Sequence, residues 1–463
     1  MAEGRLNALR VGHGRYDAGA RHERLSRDEW IVAGLGALFA LCLVLGGGSA
    51  RGDALGQVVV RLGAAVTLAG LLMIGPGLDW RARWPLPALL GGLIALMIAQ
   101  VVPLPPELWR NLGGRATIAA QAGAAGIELG WRPLSLVPDA TLDSLFAMIV
   151  PAAALAWVAA APRRWLQALP EALVALAAIS AVVAVGQQLE VGSAAVLLDR
   201  GTDIGGVLAN RNHQALVLSI GLLMLPLVAL RTGIDLRAGR LWVGFGIFVL
   251  IVLMIIAGGA RVGLLLAPVA LALGLALAWS NRALAGRRRL LLVVALVAVA
   301  LVGAILAVVL ADGRAASLDR LVQTNADSEL RVRALPVVTQ LIGDYWPLGS
   351  GIGTFDIAFM RVEPDALINP LYYNHAHSDP LEWLIEAGAV GAIGLALLVA
   401  FLIARLWTTW RFSDSAQRGA FAVLPLIAIA SLSDYPLRTP LVAVIAIVSL
   451  WMATGPVEPR ERR

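Results

Sequence analysis

Apolar residues fall into long runs along this chain, and short polar segments rich in arginine separate the runs. A helix that crosses a membrane needs about 20 mostly apolar residues. Twelve runs approach that length, so the pattern predicts about 12 transmembrane helices. These predicted spans lie near residues 30–48, 54–76, 85–104, 141–161, 166–190, 213–230, 241–258, 262–280, 290–311, 379–404, 419–433 and 438–454.

The composition supports the same class. Of the 463 residues, 59% are hydrophobic and 15% are charged, whereas soluble proteins have about 45–50% apolar and about 25% charged residues. A soluble chain this apolar would expose large apolar patches and aggregate. The sequence therefore predicts an all-α polytopic membrane protein and excludes disordered, collagen-like and disulfide-framework proteins. The single cysteine, Cys42, lies inside the first run, where we expect it to pack.

The arginines predict the topology. The chain has 37 basic residues, all of them arginines, and a net charge of +6. Cytoplasmic loops of membrane proteins are enriched in basic residues. With the N terminus in the cytoplasm, the cytoplasmic segments hold 23 arginines and the longer outer segments hold 13. Both termini are therefore predicted to be cytoplasmic, as tails at 1–29 and 455–463, with the first helix retained rather than cleaved as a signal peptide.

Two predicted outer segments, 105–140 and 312–378, are longer than simple connectors. Loops of this length are usually functional or disordered. The second has too many aromatic residues for plain disorder, and its residues 328–345 have helical spacing. The apolar side of that predicted helix is Leu330, Leu335, Val338 and Leu341 or Ile342. We expect an ordered cap on the outer face, between helices 1–9 within 30–311 and helices 10–12 within 379–454.

Arginines on the outer side are the first candidate binding residues. Arg211, in Asn-Arg-Asn-His at 210–213, opens the predicted sixth helix, and helix N-termini favour anions. Arginine can bind a phosphate through two parallel hydrogen bonds. Arg261 lies between two apolar runs with almost no loop, where a charged residue usually faces a polar cavity. The plainer alternatives are a helix cap with an interfacial arginine at Arg211 and a side chain that reaches the membrane interface at Arg261.

Two histidines end the second outer segment, in Asn-His-Ala-His-Ser-Asp at 374–379. Histidine titrates near neutral pH, which suits a general base. A metal site needs three or four converging ligands, and this segment offers too few, so a structural histidine at a helix start is the alternative. The glycine-rich residues 349–353 indicate a tight turn and not a nucleotide site. Several arginines around one histidine, Arg331 and Arg333 among them, would suit an anionic lipid-linked substrate and a hydroxyl acceptor.

Four segments in order resemble those of one family. They correspond to its asparagine-rich helix start, its Ser-Arg pair, its Arg…Pro-x-x-Gly-x-Gly-x-Phe segment and its Ala-His-Asn…Glu-x-Gly segment. In this chain they are Gly-Val-Leu-Ala-Asn-Arg-Asn-His-Gln-Ala at 206–215, Ala-Arg at 260–261, Leu-Arg at 330–331 with Trp-Pro-Leu-Gly-Ser-Gly-Ile-Gly-Thr-Phe at 346–355, and Asn-His-Ala-His-Ser-Asp at 374–379 with Glu-Ala-Gly at 386–388. Over roughly residues 200–400 the chain thereby resembles the O-antigen ligase and O-antigen polymerase superfamily of bacterial membrane glycosyltransferases. Ser378 stands where the family usually has Asn.

The resemblance implies an enzyme of the bacterial inner membrane whose active site faces the periplasm. Such an enzyme transfers a glycan from undecaprenyl diphosphate to an acceptor hydroxyl, with no cofactor, nucleotide sugar, metal ion or nucleic acid. His377 matches the family's essential histidine and would act as the catalytic general base. The arginines that match its diphosphate-binding residues are Arg211, Arg261 and Arg331. Supporting roles are expected for His375, Asp379, Glu382, Arg333 and Asn210.

The acceptor stays open at this point. A ligase would transfer the glycan to lipid A core of lipopolysaccharide, and a polymerase would transfer it to a growing surface polysaccharide or exopolysaccharide chain. A protein O-oligosaccharyltransferase would transfer it to a protein. The non-enzymatic alternative is a transporter or flippase of lipid-linked glycans, which would be expected to have ionisable residues at mid-membrane and interrupted helices. Only Arg61 lies clearly within a predicted span.

Overall fold

The computed structural model describes residues 25–49, 54–75, 83–189, 205–231, 238–281, 286, 288–311, 326–368 and 373–455. The described residues leave out most of the two predicted tails and, in the predicted cap segment, residues 312–325 and 369–372. The first helices are α1 (Arg27–Gly46), α2 (Ala54–Ile74), α3 (Pro85–Val101), α4 (Pro106–Arg110), α5 (Arg115–Ala124), α6 (Pro138–Ala147), α7 (Ile149–Ala160), α8 (Arg163–Leu166) and α9 (Leu169–Gln188). They are followed by α10 (Arg211–Ala229), α11 (Ala238–Gly258), α12 (Arg261–Ser280), α13 (Arg288–Ala311), α14 (Ala326–Tyr345), α15 (Phe355–Met360), α16 (Asp379–Phe412), α17 (Ser415–Ser431) and α18 (Pro440–Ala453).

The described residues include two short strands and two 3-10 helices besides these α-helices. The strands are β1 (Pro103–Leu104) and β2 (Arg132–Pro133), which pair antiparallel with Pro103 opposite Pro133. The 3-10 helices are Asp365–Leu367 in the cap and Pro436–Arg438 between α17 and α18. Helices therefore carry nearly all of the regular structure, as the all-α prediction requires.

Each of the 12 predicted spans coincides with a helix or a helix pair. Eight segments among the described residues are long and apolar enough to cross a membrane. They are Arg27–Gly46, Ala54–Ile74, Pro138–Ala160, Leu169–Gln188, Arg211–Ala229, Gly239–Gly258, Arg261–Ser280 and Asp379–Trp410. Three shorter apolar helices are α3, α17 and α18. The all-α polytopic membrane fold is confirmed, whereas the number of 12 spans and the side of each terminus stay predictions.

Helix α10 is the centre of the bundle. It is 83% buried over its span, while the other seven candidate spans are between 11% and 39% buried. Glycines allow its neighbours to approach closely. A Cβ on Gly263 of α12 would lie 2.4 Å from the Cβ of Ala215, and a Cβ on Gly274 would lie 2.3 Å from the carbonyl oxygen of Leu223. The contacts follow the same order along both helices, so α10 and α12 run parallel and begin at the same end of the bundle.

Arg61, the arginine within a predicted span, is held by an ion pair. Its guanidinium donates to both carboxylate oxygens of Asp143 in α6, at 2.6 and 3.2 Å. A two-bond pair of this kind satisfies a charge that would be costly to leave unpaired in an apolar environment. The pair fixes α2 against the segment that forms α6 and α7.

The cap contains the predicted helix and has an apolar core of its own. Residues Ala334, Val338, Leu341 and Tyr345 of α14 are buried, at 4% exposure or less. They pack with Phe355, Phe359, Leu367 and Ile385. The prediction for Leu335 is wrong, because this residue is 47% exposed. The buried stripe runs through the small residue Ala334 instead, and the next position along a helix points about 100° away.

The first of the two long segments that are predicted to lie outside, 105–140, packs on the described part of the second, 312–378. The fully buried guanidinium of Arg115 donates to the carbonyl oxygens of Leu134 and Gly349. Leu136 N also donates to Ser350 O at 2.8 Å. The described parts of the two long segments therefore form one cap around the glycine-rich residues 349–353.

Helix α16 is interrupted at Gly388, whose backbone is left-handed at φ 55° and ψ −135°. The loop that contains Pro347 and Gly351 fills the gap. Ala389 N donates to Pro347 O at 2.7 Å, and Gly351 N donates to Glu386 O at 3.0 Å. Non-helical backbone at the edge of a membrane is tolerated when protein satisfies its polar groups. The glycine-rich residues form a turn, as predicted, and the turn completes a broken helix.

Replacing Gly388 by alanine should destabilise the cap and the segment that carries the histidines. A sparsely populated backbone conformation with positive φ costs a non-glycine residue about 1–3 kcal/mol, and the added Cβ would lie 2.1 Å from Pro347 O. We expect a lower thermal unfolding midpoint in detergent, measured by intrinsic fluorescence. Gly394→Ala in the same helix is the matched control, because that Cβ meets open space. Equal midpoints for the two variants would contradict this role of Gly388.

Candidate active site

Three distant segments meet at the carboxylate of Asp434. They are the histidine segment 373–379, the start of α10 at 210–213, and the connector 432–439 between α17 and α18. Asp434 is 1% exposed. Its Oδ2 atom accepts hydrogen bonds from the side-chain amides of Asn212, at 2.6 Å, and Asn210, at 3.4 Å. This carboxylate is the geometrical centre of the candidate site.

Two imidazole rings face the other carboxylate oxygen. Nδ1 of His377 lies 3.6 Å from Asp434 Oδ1, and Nε2 of His213 lies 3.8 Å from the same atom. These distances give close electrostatic contact, slightly beyond a direct hydrogen bond. Oδ2 of Asp434 is thus bound by two side-chain amides. Oδ1 accepts a hydrogen bond from Tyr435 N at 3.0 Å and lies between two histidines.

His377 has an unusual backbone and a protected ring. It is the sole non-glycine residue with positive φ, at 49°, in the part of the chain that the structure describes. Such conformations cost energy and cluster at functional sites. The ring lies 5.4 Å from that of Tyr373 and 5.3 Å from that of Tyr435, measured between centroids. Its side chain is 19% exposed, so the imidazole is held in place and still reaches the surface.

Burial favours the neutral form of the His377 imidazole. Burial lowers the pKa of the His377 imidazole below its ordinary value, and the Arg331 cation adds to the lowering, while Asp434 opposes it. Burial alone would raise the pKa of Asp434, but His213, His377 and Arg331 hold it well below its ordinary value. A neutral imidazole beside an ionised carboxylate is the pairing that a histidine general base needs.

The two tyrosines around His377 stay protonated. Burial raises the pKa of the Tyr373 phenol to about 12. Burial and the Asp434 carboxylate raise the pKa of the Tyr435 phenol to about 12 as well. Both rings therefore act as neutral walls of the site near neutral pH.

His375 faces a different partner from His377. Its Nδ1 lies 2.9 Å from Glu382 Oε1, and the second oxygen of Glu382 accepts a hydrogen bond from Ala376 N at 3.0 Å. The His375 ring also stacks on Tyr435 with a centroid distance of 4.0 Å. Because the intervening residues are not helical, these contacts fix the two histidines independently, and His375 anchors the segment that presents His377.

Three buried carboxylates surround the guanidinium of Arg438. Its Nη2 lies 2.8 Å from Glu386 Oε2 and 3.3 Å from Glu382 Oε1, and its Nε lies 4.0 Å from Asp379 Oδ1. Burial alone would lower the pKa of Arg438, yet these carboxylates raise it above its ordinary value. Arg438 therefore stays charged and joins the first part of α16 to the connector before α18.

The comparisons with known proteins agree with the sequence resemblance. Residues 246–396 match the family model described as O-antigen ligase. This part of the chain is therefore similar to the O-antigen ligase family. The match includes Arg261, Arg331 and His377, and it confirms the superfamily predicted from the motifs. No curated protein matches the chain.

The predicted arginines take different positions, some inside the matched residues 246–396 and Arg211 outside them. Arg331 of the cap helix donates to Ser433 O at 3.2 Å, next to Asp434. Arg333 donates to Ala366 O within the cap instead, at 2.8 Å. Arg211 and Arg261 are the first residues of α10 and α12, which begin at the same end of the bundle.

The structure therefore brings most of the predicted site residues together. His377, Asn210 and Arg331 lie around Asp434, whereas Asp379, Glu382 and His375 lie around Arg438 or its partners. Asp379 also accepts hydrogen bonds from Ser431 Oγ, at 2.8 Å, and from Leu437 N, at 3.2 Å. Arg333 lies elsewhere, because its hydrogen bond to Ala366 O is in the cap. Arg211 and Arg261 are placed only by the helix starts at which they lie.

Asp434, Tyr435 and Arg438 of the candidate site were not predicted from the sequence. All three lie in the short connector between two apolar runs. Charged residues in such a connector carry the same signal that singled out Arg261, because charge is costly next to apolar spans. Charged residues between the last two apolar runs would in the same way have indicated Asp434 and Arg438.

Proposed function

We propose that this membrane glycosyltransferase transfers a glycan from undecaprenyl diphosphate to an acceptor hydroxyl at the periplasmic face of the inner membrane. One observation carries the proposal. His377 is held by its backbone and by two tyrosines, and its Nδ1 lies 3.6 Å from Asp434 Oδ1. An Nδ1–H that faces the carboxylate leaves the Nε2 lone pair available to accept a proton.

The proposed reaction is a single displacement. The acceptor oxygen attacks the anomeric carbon of the donor glycan while Nε2 of His377 takes the proton of that hydroxyl. The bond between the anomeric carbon and the diphosphate oxygen breaks, and undecaprenyl diphosphate leaves with the bonding electron pair. Asp434 stabilises the imidazolium that forms, in the manner of the carboxylate in a Ser-His-Asp triad. The proton then passes from His377 to solvent.

Arginines and helix N-termini would stabilise the leaving diphosphate. Arg211 and Arg261 begin two parallel helices that pack closely, and each helix start carries a partial positive charge. Arg331 approaches from the cap. Cations fixed in advance where negative charge develops are an effective means of lowering a reaction barrier. The starts of α10 and α12 are therefore the proposed diphosphate subsite.

The interruption of α16 at Gly388 favours a second candidate, a transporter of the same lipid-linked glycan, since broken helices are common in transporters. Fixed contacts occupy this break, however. Pro347, Gly351 and Glu386 hold it by backbone hydrogen bonds, and Arg438 pairs with the Glu386 side chain. These contacts support a rigid catalytic platform better than a moving gate.

A reconstituted assay tests the proposed function and separates the acceptors. The purified protein in detergent receives a defined undecaprenyl-diphosphate oligosaccharide, and glycan length and free undecaprenyl diphosphate are followed. A ladder without further acceptor indicates a polymerase, and product only after addition of lipid A core indicates a ligase. Product only with a periplasmic protein indicates an O-oligosaccharyltransferase. No release of diphosphate under any condition, together with transport of the lipid in vesicles, would contradict the enzyme.

Lysine substitutions test the diphosphate subsite. Arg211→Lys, Arg261→Lys and Arg331→Lys keep the charge but lose the planar pair of donors. A lost charge-assisted hydrogen bond is worth about 1.5 kcal/mol, so turnover should fall about tenfold in each variant. The exposed Arg110 of α4 provides the control, as Arg110→Lys should behave like wild type. Wild-type turnover in all three variants would leave these arginines with a topological role only.

Cysteine labelling tests the orientation. In a Cys42→Ala background, Ile368→Cys places a thiol on the cap, where the native side chain is 65% exposed. Ala168→Cys between α8 and α9 provides an exposed position on the predicted cytoplasmic side. An impermeant maleimide added from the periplasm should label the first variant in intact cells and the second only after lysis. The reverse result would invert the proposed topology.

A further inference from the structure

A second histidine at the site, His213, has no role in the displacement proposed for His377. It lies in the first turn of α10 and is 2% exposed. Among the described residues, neither of its ring nitrogens has a hydrogen-bond partner. Its Nε2 lies 3.8 Å from Asp434 Oδ1, and the ring meets that of Tyr435 edge-on, with 5.2 Å between the centroids. A buried polar ring without a hydrogen bond is costly unless it serves an interaction.

The segment 210–213 forms three sides of a cradle for Asp434. Asn210 and Asn212 donate to Oδ2, and His213 faces Oδ1. Arg211, which lies between the two asparagines, begins α10 and belongs to the proposed diphosphate subsite. The motif that was predicted to bind an anion thus divides between a carboxylate cradle and an arginine of that subsite.

The number of positive charges that the Asp434 carboxylate can compensate limits the role of His213. A single buried carboxylate compensates a single positive charge, and a second buried imidazolium would lack a counterion. His377 must become charged during the proposed reaction. The role left for His213 is that of a hydrogen-bond donor, since a neutral imidazole carries one N–H donor.

We propose that His213 is a positioning residue, which donates its Nε2–H to Asp434 Oδ1 and so fixes the carboxylate that orients His377. Closing the gap to a hydrogen bond requires a movement of about 1 Å or less. The donated hydrogen bond takes up part of the negative charge on Oδ1, which weakens the attraction of Asp434 for a protonated His377. This inference rests on the proposed function, in which neutral His377 is the base.

Other charged or titratable groups among the described residues also influence the titration of His377. Arg331 approaches from α14, His375 and Tyr373 lie on its own segment, and Asp434 and Tyr435 lie on the connector before α18. A change confined to His213 leaves all of them in place. Removal of the His213 donor should therefore move the titration of His377 to higher pH.

The experiment measures that titration directly and does not depend on catalysis. The chain has five histidines, so the ¹⁵N spectrum of histidine-labelled protein in detergent is simple, and His377→Ala assigns the His377 signals. We compare wild type, His213→Leu and His213→Gln, whose amide can still donate. The His377 midpoint should rise by about half a pH unit or more in the leucine variant and stay near wild type in the glutamine variant.

Two outcomes would overturn the inference. One is an unchanged His377 titration in a folded His213→Leu protein, which would leave His213 as a packing residue. The other is a wild-type His213 that is protonated at neutral pH. Ser219→Ala serves as the folding control, because this buried hydroxyl of α10 donates to Ala215 O within its own helix. If wild type fails to transfer glycan, the proposed function fails, while the titration still decides the role of His213.

Discussion

Replacement of His377 by alanine is expected to abolish most of the glycan transfer while the protein remains inserted in the membrane. A positioned general base contributes about 10²–10⁴-fold to a rate. Among the described histidines, His377 is the one that lies beside Asp434 and still reaches the surface. The variant should therefore lose at least about 100-fold in the release of free undecaprenyl diphosphate. The measurement is the reconstituted assay with a saturating donor.

A second substitution separates the imidazole from the backbone that carries it. His377 has φ 49°, a conformation that asparagine adopts far more readily than alanine. His377→Asn therefore keeps the local fold and removes the base. Equal losses in the alanine and asparagine variants are expected. A variant His377→Asn with wild-type turnover would refute the general-base mechanism and leave only the backbone conformation as important.

The pH dependence of the wild type follows from the same group. The active form has a neutral His377, so activity falls as the pH decreases through its pKa. Burial and Arg331 lower that pKa from its ordinary value of about 6.5. Turnover should therefore persist below about pH 6.5 and decline only at more acidic pH. A loss of turnover that already begins well above about pH 6.5 as the pH is lowered would contradict a lowered pKa for the buried imidazole beside Arg331.

Local sequence patterns were sufficient for most of the fold. Apolar runs predicted the helices because a membrane demands about 20 apolar residues in any spanning helix. The cap helix was predicted from the spacing of Val338 and Leu341, and only Leu335 was misplaced, because large apolar residues defined the predicted stripe and the small Ala334 did not enter it. The interruption at Gly388 was not predicted, because the loop that completes α16 comes from a distant part of the chain, around Pro347.

Only part of the candidate site was predicted, because sequence motifs reveal residues that are close together in the chain. Motifs singled out His377, Arg331 and the start of α10, which are compact in sequence. Asp434 escaped because its role depends on contacts with residues far away in the chain, such as Asn212. A single carboxylate in a connector has no local pattern, and only the packing of α10 against the last helices reveals it.

Replacement of Arg438 by methionine is expected to destabilise the protein strongly. Its partners Glu382 and Glu386 have side chains that are 1% exposed. Removing one partner of a buried ion pair costs about 3–5 kcal/mol, because the remaining charge is left without compensation. The thermal unfolding midpoint in detergent should fall sharply, and glycan transfer should fall with it because Glu382 anchors the histidine segment.

A second substitution shows whether Arg438→Met destabilises the protein through uncompensated carboxylate charges or through lost packing. In Arg438→Met/Glu386→Gln one of the stranded charges is gone, while the Gln carbonyl can still accept the hydrogen bond that Phe355 N donates to Glu386. The double variant should therefore recover part of the lost stability. Arg231→Met, which removes the half-exposed pair with Glu171, should cost at most about 1 kcal/mol. If the Arg438 and Arg231 variants were equally stable, the carboxylates around Arg438 would not depend on it, and α16 would be held to the connector by apolar contacts alone.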